Sequence, residues 1–386
     1  MKILLVNYEY PPYGGGAGNA TREIARSLQM LGFRVTVLTS REGPLPLYDD
    51  GINKIQVGAR RKFMERSTFL DLIGFLLGGL IWANSRKSSE YSLVITFFSI
   101  PSGVVGWMLK RQRGVPYIVS LRGADVPGFS PEISYLHQLV RPLRRMILRS
   151  AAAVVANSHF LSGLSVQADG IPTAVIANGV DPLTFSSGKE RSYSEDDKRP
   201  LQILMVSRLH PQKRVVEAVK VLSDARAKGF DFHLSIVGDG STKKEIQALI
   251  EDGKLAGRAQ LFGWLDKEQL VRQYRQADCY LSLSSAEGLP NAVLEAMASG
   301  LPVVLSDIPP HRELVTHEAN GLLVPVDSGH ALISALKKLQ SDAHLRKQLA
   351  RSARTFIEHE YSWERCAKSY LELLDDTEDS QKEGCE

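Results

Sequence analysis

Two glutamates, Glu287 and Glu295, have seven residues between them and enclose most of the stretch Glu287 to Gly300, EGLPNAVLEAMASG. Apolar strand candidates flank it, Cys279 to Leu283 before and Val303 to Leu305 after. The pattern predicts a strand ending near Ser284, a turn carrying Glu287, and a helix from Pro290 or Asn291. Gly300 stops that helix and Pro302 follows. A helix N-terminus at a strand's carboxyl end offers unpaired N–H groups and a positive dipole end, which suits an anion. Glu295 falls about one turn further in, where a carboxylate repels phosphate but accepts hydrogen bonds from a vicinal diol. Phosphate at the helix tip with a sugar diol beside it describes a nucleotide. The bland alternative is a helix with two solvated carboxylates, glutamate being a common helix residue.

A second group of chemistry-bearing residues follows the strand candidate Ile203–Val206. Arg208 and Lys213 come just past its end, and a guanidinium fork with a point-charge ammonium suits a diphosphate. Two unrelated surface cations would look the same. Gly238-Asp239-Gly240 follows the next strand, and Gly263, Trp264 and Leu265 the one after, a plausible base pocket or simply packed side chains. In the first half, Asn7 to Gly18 contains Gly14-Gly15-Gly16, whose backbone can approach a ligand closely. Ser120 to Phe129, SLRGADVPGF, carries Arg122 and Asp125 just past a strand end, where open α/β sheets place ligands. Asn157-Ser158 and Asn178-Gly179-Val180-Asp181 lie similarly, with plain turns as the alternative.

The elements that must position these residues alternate strand and helix along the whole chain, the signature of parallel α/β units. Strand candidates in the first half are Ile3–Val6, Val35–Thr39, Val94–Phe97, Tyr117–Val119, Val154–Ala156 and Ala174–Ile176. In the second half they are Ile203–Val206, Leu234–Val237, Gln260–Phe262, Tyr280–Leu283, Val303–Leu305 and Leu322–Val324. Two such series predict two doubly wound domains, residues 1–183 and 201–360, joined by a polar, Pro-ended linker at 184–200. Trp363 to Leu374 reads as an amphipathic helix within 361–374, and 375–386 as an acidic, disordered tail. An NAD-binding first domain is disfavoured. The glycines come too late after the first strand for a GxGxxG turn, and the second strand ends Leu38-Thr39-Ser40 with no acidic residue for a ribose.

Charge is uneven over the 386 residues. Residues 1–183 hold 20 Lys/Arg against 12 Asp/Glu, a balance of +8, and the remainder 27 against 31, a balance of −4. A basic first half suggests an anionic partner, a membrane surface or a phosphorylated substrate. Nucleic acid is not expected, since no reader motif or aromatic–basic interleaving is present. Arg60, Arg61, Lys62 and Arg66 precede the apolar run Phe69 to Ala83, FLDLIGFLLGGLIWA, and Arg86-Lys87 follow it. The run falls short of the roughly 20 residues a bilayer span needs. It reads as a buried packing helix or as an interfacial helix with basic flanks at anionic headgroups. Lys110, Arg111, Arg113, Arg141, Arg144, Arg145 and Arg149 favour a membrane-facing first domain. Cys279, Cys366 and Cys385 have no metal or disulfide spacing, which fits a reducing compartment. The opening MKILLV reads as a first buried strand, not a signal peptide.

Taken together, these segments resemble the retaining GT-B glycosyltransferases of family four, with the second domain known as glycosyl transferases group 1. Residues 200–330 carry the pattern in order: VSRLHPQK, IVGDG, FGW, EGLPNAVLEAMASGLPVVLSD and NGLLVP. The first half matches through PPYGGGAGNA, the RGADVPG loop, ANS and NGVD. The resemblance implies an α/β GT-B architecture, two Rossmann-like doubly wound parallel-sheet domains facing across a cleft that holds a nucleotide-sugar donor. A final helix, Trp363 to Leu374, would return to the first domain.

By resemblance, Glu295 binds the ribose hydroxyls and Glu287 the donor hexose near its reacting face. Backbone of Gly288, Leu289, Pro290 and Asn291 holds phosphate and sugar, with Gly238, Gly263, Trp264 and Leu265 around the base. Arg208 and Lys213 neutralise the diphosphate leaving group, and Gly15 or Gly16 approaches it from the other domain. These cations replace a metal, so neither metal nor cofactor is expected, and no Asp-x-Asp occurs. Many relatives place a histidine where Arg122 stands. Arginine cannot act as a base at neutral pH, so Arg122 is expected to donate to phosphate, hexose or acceptor, and Asp125 to orient the acceptor hydroxyl. The implied reaction is retaining transfer of a hexose from a UDP- or GDP-sugar to a glycan or lipid-linked acceptor, in the cytoplasm or peripherally at its membrane face. A sugar-nucleotide epimerase or hydrolase on the same fold, or a silent sugar-nucleotide-binding protein, remains open. The silent reading would usually lack one of Arg208, Lys213, Glu287 or Glu295, and all four are present.

Overall fold

The computed structural model describes residues 1–41, 51–58, 68–85, 90–130, 133–186, 199–252 and 255–383, with side chains to residue 373. The chain divides into two compact units, Met1–Gly179 with Trp363–Glu386, and Val180–Ser362. Most of the predicted linker, residues 187–198, and the basic residues at 60–66 and 86–87 lie outside the described residues.

The first unit begins β1 (Lys2–Val6), α1 (Gly16–Met30), β2 (Arg34–Ser40), β3 (Asn53–Val57), α2 (Phe69–Ala83) and β4 (Leu93–Phe97). It continues α3 (Ser102–Arg113), β5 (Tyr117–Leu121), α4 (Ser134–Ser150), β6 (Ala153–Ala156), α5 (His159–Asp169) and β7 (Ala174–Val175). All strands pair in parallel in the order β3-β2-β1-β4-β5-β6-β7. Parallel strands covered by helices on both faces should be apolar without alternation, and Ile3 through Val6 are wholly buried. Leu4 and Val6 join the core under α2 to α5, while Ile3 and Leu5 join the opposite core under α1. The sequence reading missed β3. Its residues NKIQV are mostly polar because it is the edge strand, and of them only Val57 is buried.

The second unit contains β8 (Leu201–Val206), α6 (Val215–Ala227), β9 (Phe232–Val237), α7 (Lys243–Glu251), β10 (Ala259–Gly263) and α8 (Lys267–Gln276). It closes with β11 (Cys279–Ser282), α9 (Asn291–Ala298), β12 (Val303–Ser306), α10 (Pro309–Arg312), β13 (Leu322–Val324), α11 (Gly329–Ser341) and α12 (Ala343–Glu360). Its sheet is parallel, ordered β10-β9-β8-β11-β12-β13. Both sheets therefore share the doubly wound order, and each reverses winding once, between β1 and β4 and between β8 and β11. Loops at the carboxyl ends of such a pair diverge and leave a ligand crevice.

The final helix α13 (Trp363–Glu383) belongs to the first unit. Cys366, Ala367 and Tyr370 are buried in the core shared with α1. The disordered tail predicted from 375 is corrected here: the helix continues to Glu383. Its early turns are anchored by packing, and Lys368 pairs with Glu364 at 2.6 Å across one turn. Propagating an anchored helix fixes one residue per new hydrogen bond and skips the costly nucleus.

The apolar run at 69–83 forms α2, capped by Thr68 in a reciprocal box with Asp71. Its inward stripe is Phe75, Gly79 and Ala83. The buried-packing reading fails for the outer stripe, where Leu70 is 76% and Ile81 75% exposed, while Leu72, Leu76, Leu80 and Trp82 are half-buried. Among the described residues no helix is long and apolar enough to cross a membrane.

Candidate active site

At the winding reversal of the second sheet, β8 and β11 are neighbours, with Ile203 beside Cys279 and Leu204 beside Tyr280. The loops leaving them are tied together. Ser285 N–H donates to Gln212 O at 2.9 Å, and Gln212 Nε2 donates to Ala286 O at 2.6 Å. This lacing brings Lys213 Nζ to 2.5 Å from Glu287 Oε1. Glu287 is buried at 7% exposure. Burial pushes its carboxyl up, but the Lys213 ammonium, nearby His311, and hydrogen bonds from Lys213 and Ser284 outweigh that and hold it below the ordinary carboxylate range.

Gly288, Leu289 and Pro290 are buried between Glu287 and the start of α9. The helix has no side-chain N-cap, and Val293 N–H turns back to Pro290 O at 3.0 Å; its positive dipole end still favours an anion at the tip. Its other end closes as the sequence predicts. Gly300 adopts φ +65°, its N–H reaches Met297 O, and Leu301 N–H reaches Ala296 O, a Schellman closure. Val293, Leu294, Met297 and Ala298 bury the inner face. A Leu or Met side chain buried this way contributes about 1.5–3 kcal/mol, which keeps the helix tip fixed. Glu295, half-buried one turn in, accepts a hydrogen bond from Tyr274 Oη at 2.9 Å. Burial pushes the Glu295 carboxyl up to about 7, against the Tyr274 hydrogen bond and the Lys267 charge.

Arg208 is exposed on the loop after β8, and among the described residues no partner is recorded for its guanidinium. The loop beneath it is rigid. Leu209 N–H donates to Asp239 O at 2.8 Å. Gly238 has φ +137°, and a Cβ there would lie 1.9 Å from Ser207 O, so only glycine permits this approach. Gly238 N–H in turn donates to Gly263 O at 2.8 Å, which gathers the loops after β8, β9 and β10. Trp264 is 59% exposed and Leu265 half-buried at the edge of that group.

The first unit treats its predicted residues differently. Gly15 N–H is bound to Glu9 Oε2 at 3.1 Å, and Gly16 is already the first residue of α1. The helix expected from Asn19 thus starts three residues earlier, and Gly15 is its N-cap, not a free phosphate donor. Arg122 donates to Asn178 Oδ1 at 2.5 Å and to Tyr370 Oη of α13 at 3.1 Å, with its guanidinium 4.7 Å from the Phe97 ring centroid. Asp125 does not carry a free carboxylate. It is 9% exposed and accepts N–H groups of Ser99 at 2.8 Å, Arg122 at 3.0 Å and Gly123 at 3.2 Å. Its oxygens shape the loop through these three N–H groups.

Two family models account for most of the chain: "Glycosyl transferase 4-like domain" over residues 15–179 and "Glycosyl transferases group 1" over residues 187–356. The chain belongs to the group 1 glycosyltransferases. It is therefore a transferase of GT-B fold. It is similar to a GDP-mannose-dependent alpha-mannosyltransferase of Mycobacterium tuberculosis, 26% identical over 92% of this chain and 92% of that one. Among solved structures, sucrose-phosphate synthase from Thermosynechococcus elongatus superposes with a TM-score of 0.79 at 21% identity, covering 98% of this chain and all of that one. Anabaena HepE, crystallised with UDP and glucose, gives 0.75 at 21% identity, over 97% and 100%.

In this glycosyltransferase the structure adds residues that the sequence reading passed over. Tyr274 lies on α8, outside every motif, and meets Glu295 only through tertiary packing. His311 is fully buried beside the Glu287 loop. Its Nδ1 donates to Ser306 O at 2.7 Å, while its Nε2 has no partner among the described residues. Burial holds that imidazole below the ordinary range, against the pull of the Glu287 charge. Tyr370, 248 positions away, holds Arg122 together with Asn178, which the sequence had already placed just past a strand end. Of Tyr274, His311 and Tyr370, only His311, in the Pro-Pro-His-Arg-Glu run just past a strand end, left a local signal. Among the described residues, no group of three or more His, Cys, Asp or Glu is placed to hold a metal ion.

Proposed function

We propose that this glycosyltransferase moves a hexose, with retention and without a metal, from a UDP- or GDP-sugar to a glycan or lipid-linked acceptor at the cytoplasmic membrane face. The pathway class is cell-surface polysaccharide or glycolipid biosynthesis. The observation that carries this reading is the Lys213–Glu287 pair beside the uncapped α9 tip, with the Glu295 carboxylate one turn inside. An anion at the tip reaches α9 N–H groups, and a ribose diol reaches Glu295. A relative is named for GDP-mannose and a structural neighbour was solved with UDP, which supports a nucleoside diphosphate and leaves both bases in play.

The chemistry follows from charge. Departure of the nucleoside diphosphate puts negative charge on the β-phosphate and leaves an oxocarbenium-like sugar. Fixed cations and N–H dipoles aimed at the departing oxygens stabilise that change, each by about 2–4 kcal/mol. Arg208 and Lys213 supply the countercharge that a divalent ion supplies elsewhere. Glu287 lies where it can hold hexose hydroxyls, and the departing phosphate can assist same-face attack.

A thermal-shift panel with UDP, GDP, ADP, their sugar conjugates and NAD(H) tests the reading. A ligand at about 100 times its Kd adds roughly 2.7 kcal/mol of stability. Stabilisation by one nucleoside diphosphate, unchanged by EDTA and lost in Arg208→Ala, is expected. Stabilisation by NAD(H) alone, or donor turnover with no acceptor present, overturns it.

A further inference from the structure

Ten of the fifteen large apolar side chains exposed among the described residues lie on two helices, α2 and α4. On α2, Leu70, Ile73, Leu77 and Ile81 recur at intervals of three and four residues, so they form one stripe, joined at its start by Phe69. The opposite stripe, which meets the core, is Phe75, Gly79, Trp82 and Ala83. A Cβ at Gly78 would lie 2.6 Å from Gly58 N, and one at Gly79 would lie 2.9 Å from Val105. A continuous stripe of large apolar side chains thus faces outward, where an ordinary surface helix carries polar ones. On α4 the same holds for Tyr135, Leu139, Leu143 and Met146.

Between them lies α3, on the same side of the sheet and in the same core. Its outer residues Val104, Trp107 and Met108 are only half-buried. Three neighbouring helices therefore present a broad apolar face in place of a narrow groove. Its charge is almost all of one sign, the one acid of α2, Asp71, being bound in its own capping box with Thr68. Helices α3 and α4 carry Lys110, Arg111, Arg113, Arg141, Arg144, Arg145 and Arg149 and no Asp or Glu. Arg144 alone of these is buried, paired with Asp169 at 2.7 Å. The C-terminal ends of the two helices lie side by side, since Lys110 Nζ donates to Ser150 O at 2.7 Å. The helix dipole favours cations in a last turn, but it does not remove acids from both helices.

We infer that α2, α3 and α4 form a docking face for an anionic lipid bilayer. Apolar side chains of this length enter the headgroup–acyl boundary, and Lys and Arg stems extend from the same face to the phosphates. Trp107, with the Arg111 guanidinium 5.8 Å from its ring, is of the amphipathic type enriched at that boundary. Charge complementarity selects an anionic surface over a neutral one and over a second copy of this face, whose cations would repel these. No residue of the face belongs to the donor site, so the surface can fail without the transferase reading failing.

Flotation of the full chain with vesicles tests it, using phosphatidylcholine alone and phosphatidylcholine mixed with phosphatidylglycerol. Binding to the mixed vesicles is expected, weakening as salt screens the cations. Leu70→Gln with Leu77→Gln and Ile81→Gln, and separately Arg111→Glu with Arg113→Glu, should each lower the bound fraction about tenfold or more. Both variants should keep the wild-type melting temperature and its shift with UDP or GDP, because these side chains point outward. No flotation with the mixed vesicles overturns the inference. So does binding that survives the three apolar substitutions, which would leave a charge-only contact. A concentration-dependent dimer dispersed by those substitutions would assign the face to a second copy instead.

Discussion

Lys213 Nζ lies 2.5 Å from Glu287 Oε1, and this contact joins the loops after β8 and β11 where the sheet reverses its winding. In the proposed reaction the two groups serve different parts of the donor, Lys213 the diphosphate and Glu287 the hexose. Donor binding must then move the ammonium off the carboxylate. The pair keeps Glu287 ionised in a buried place until that exchange occurs.

Removing the ammonium exposes the cost of burial. In the wild type the Glu287 pKa is lowered, so the group adds stability above the unfolded-state value that is lost as pH falls through the folded one. Without Lys213, burial dominates and the pKa rises, so the sign reverses. Lys213→Ala should lose roughly 2–4 kcal/mol at about pH 8 and recover much of it at about pH 5. Thermal melts across pH check this. A loss independent of pH would show that the pair does not set the Glu287 charge.

Arg208 makes the opposite prediction. Its guanidinium is exposed and holds nothing in place, so Arg208→Ala should change stability by no more than about 0.5 kcal/mol. The same substitution should lower kcat/KM by about a hundredfold to a thousandfold if the side chain stabilises the departing diphosphate. Melting temperature and steady-state kinetics on one preparation separate the two effects. Lost stability with kept activity would give Arg208 a structural role.

The unit-2 elements were legible because apolar strands, the Gly300 stop and the charged loop residues are local signals. Helix α9 starts at Asn291 and its Schellman closure falls at Gly300, as the pattern of Pro290 and Gly300 predicts. Polar edge strand β3 was illegible, since a strand that buries one residue need not be apolar. What Asp125 and Gly15 already bind was illegible for another reason. A sequence shows that a polar group stands near a strand end but not whether neighbouring atoms have already claimed it. Ser99 N–H claims Asp125 from 26 positions away, and Glu9 claims Gly15. Partners such as Tyr274 for Glu295 and Tyr370 for Arg122 exist only in the folded chain.

The Tyr370 hydroxyl meets Ser120 Oγ at 2.7 Å and Arg122 Nη2 at 3.1 Å, inside the core that holds α13. Tyr370→Phe keeps the ring and removes both bonds, leaving polar partners buried. A loss of about 1–2 kcal/mol is expected, with faster hydrogen exchange in α13 across residues 363–373 and in the Arg122 loop. Exchange that quickens uniformly over the whole unit would mean that the hydroxyl does not specifically latch the helix.

Glu295 ties donor recognition to pH. Its carboxyl is pushed up to about 7 by burial. The protonated form is favoured in the folded chain, so its contribution to stability is present below the unfolded pKa and is lost as pH rises through about 7. A ribose diol donates to the carboxylate, so binding should favour ionisation and release a proton. Nucleoside affinity should therefore rise with pH through about 7 while intrinsic stability falls. Titration calorimetry with uridine and guanosine, in buffers of different ionisation enthalpy, measures that proton without interference from the phosphates. Glu295→Gln should abolish the pH dependence and weaken binding by about tenfold, the worth of one charge-assisted hydrogen bond. Glu287→Gln should leave nucleoside affinity nearly intact and lower turnover, because its place is beside the hexose. If both variants lose affinity and turnover equally, the division of labour between the two glutamates is wrong.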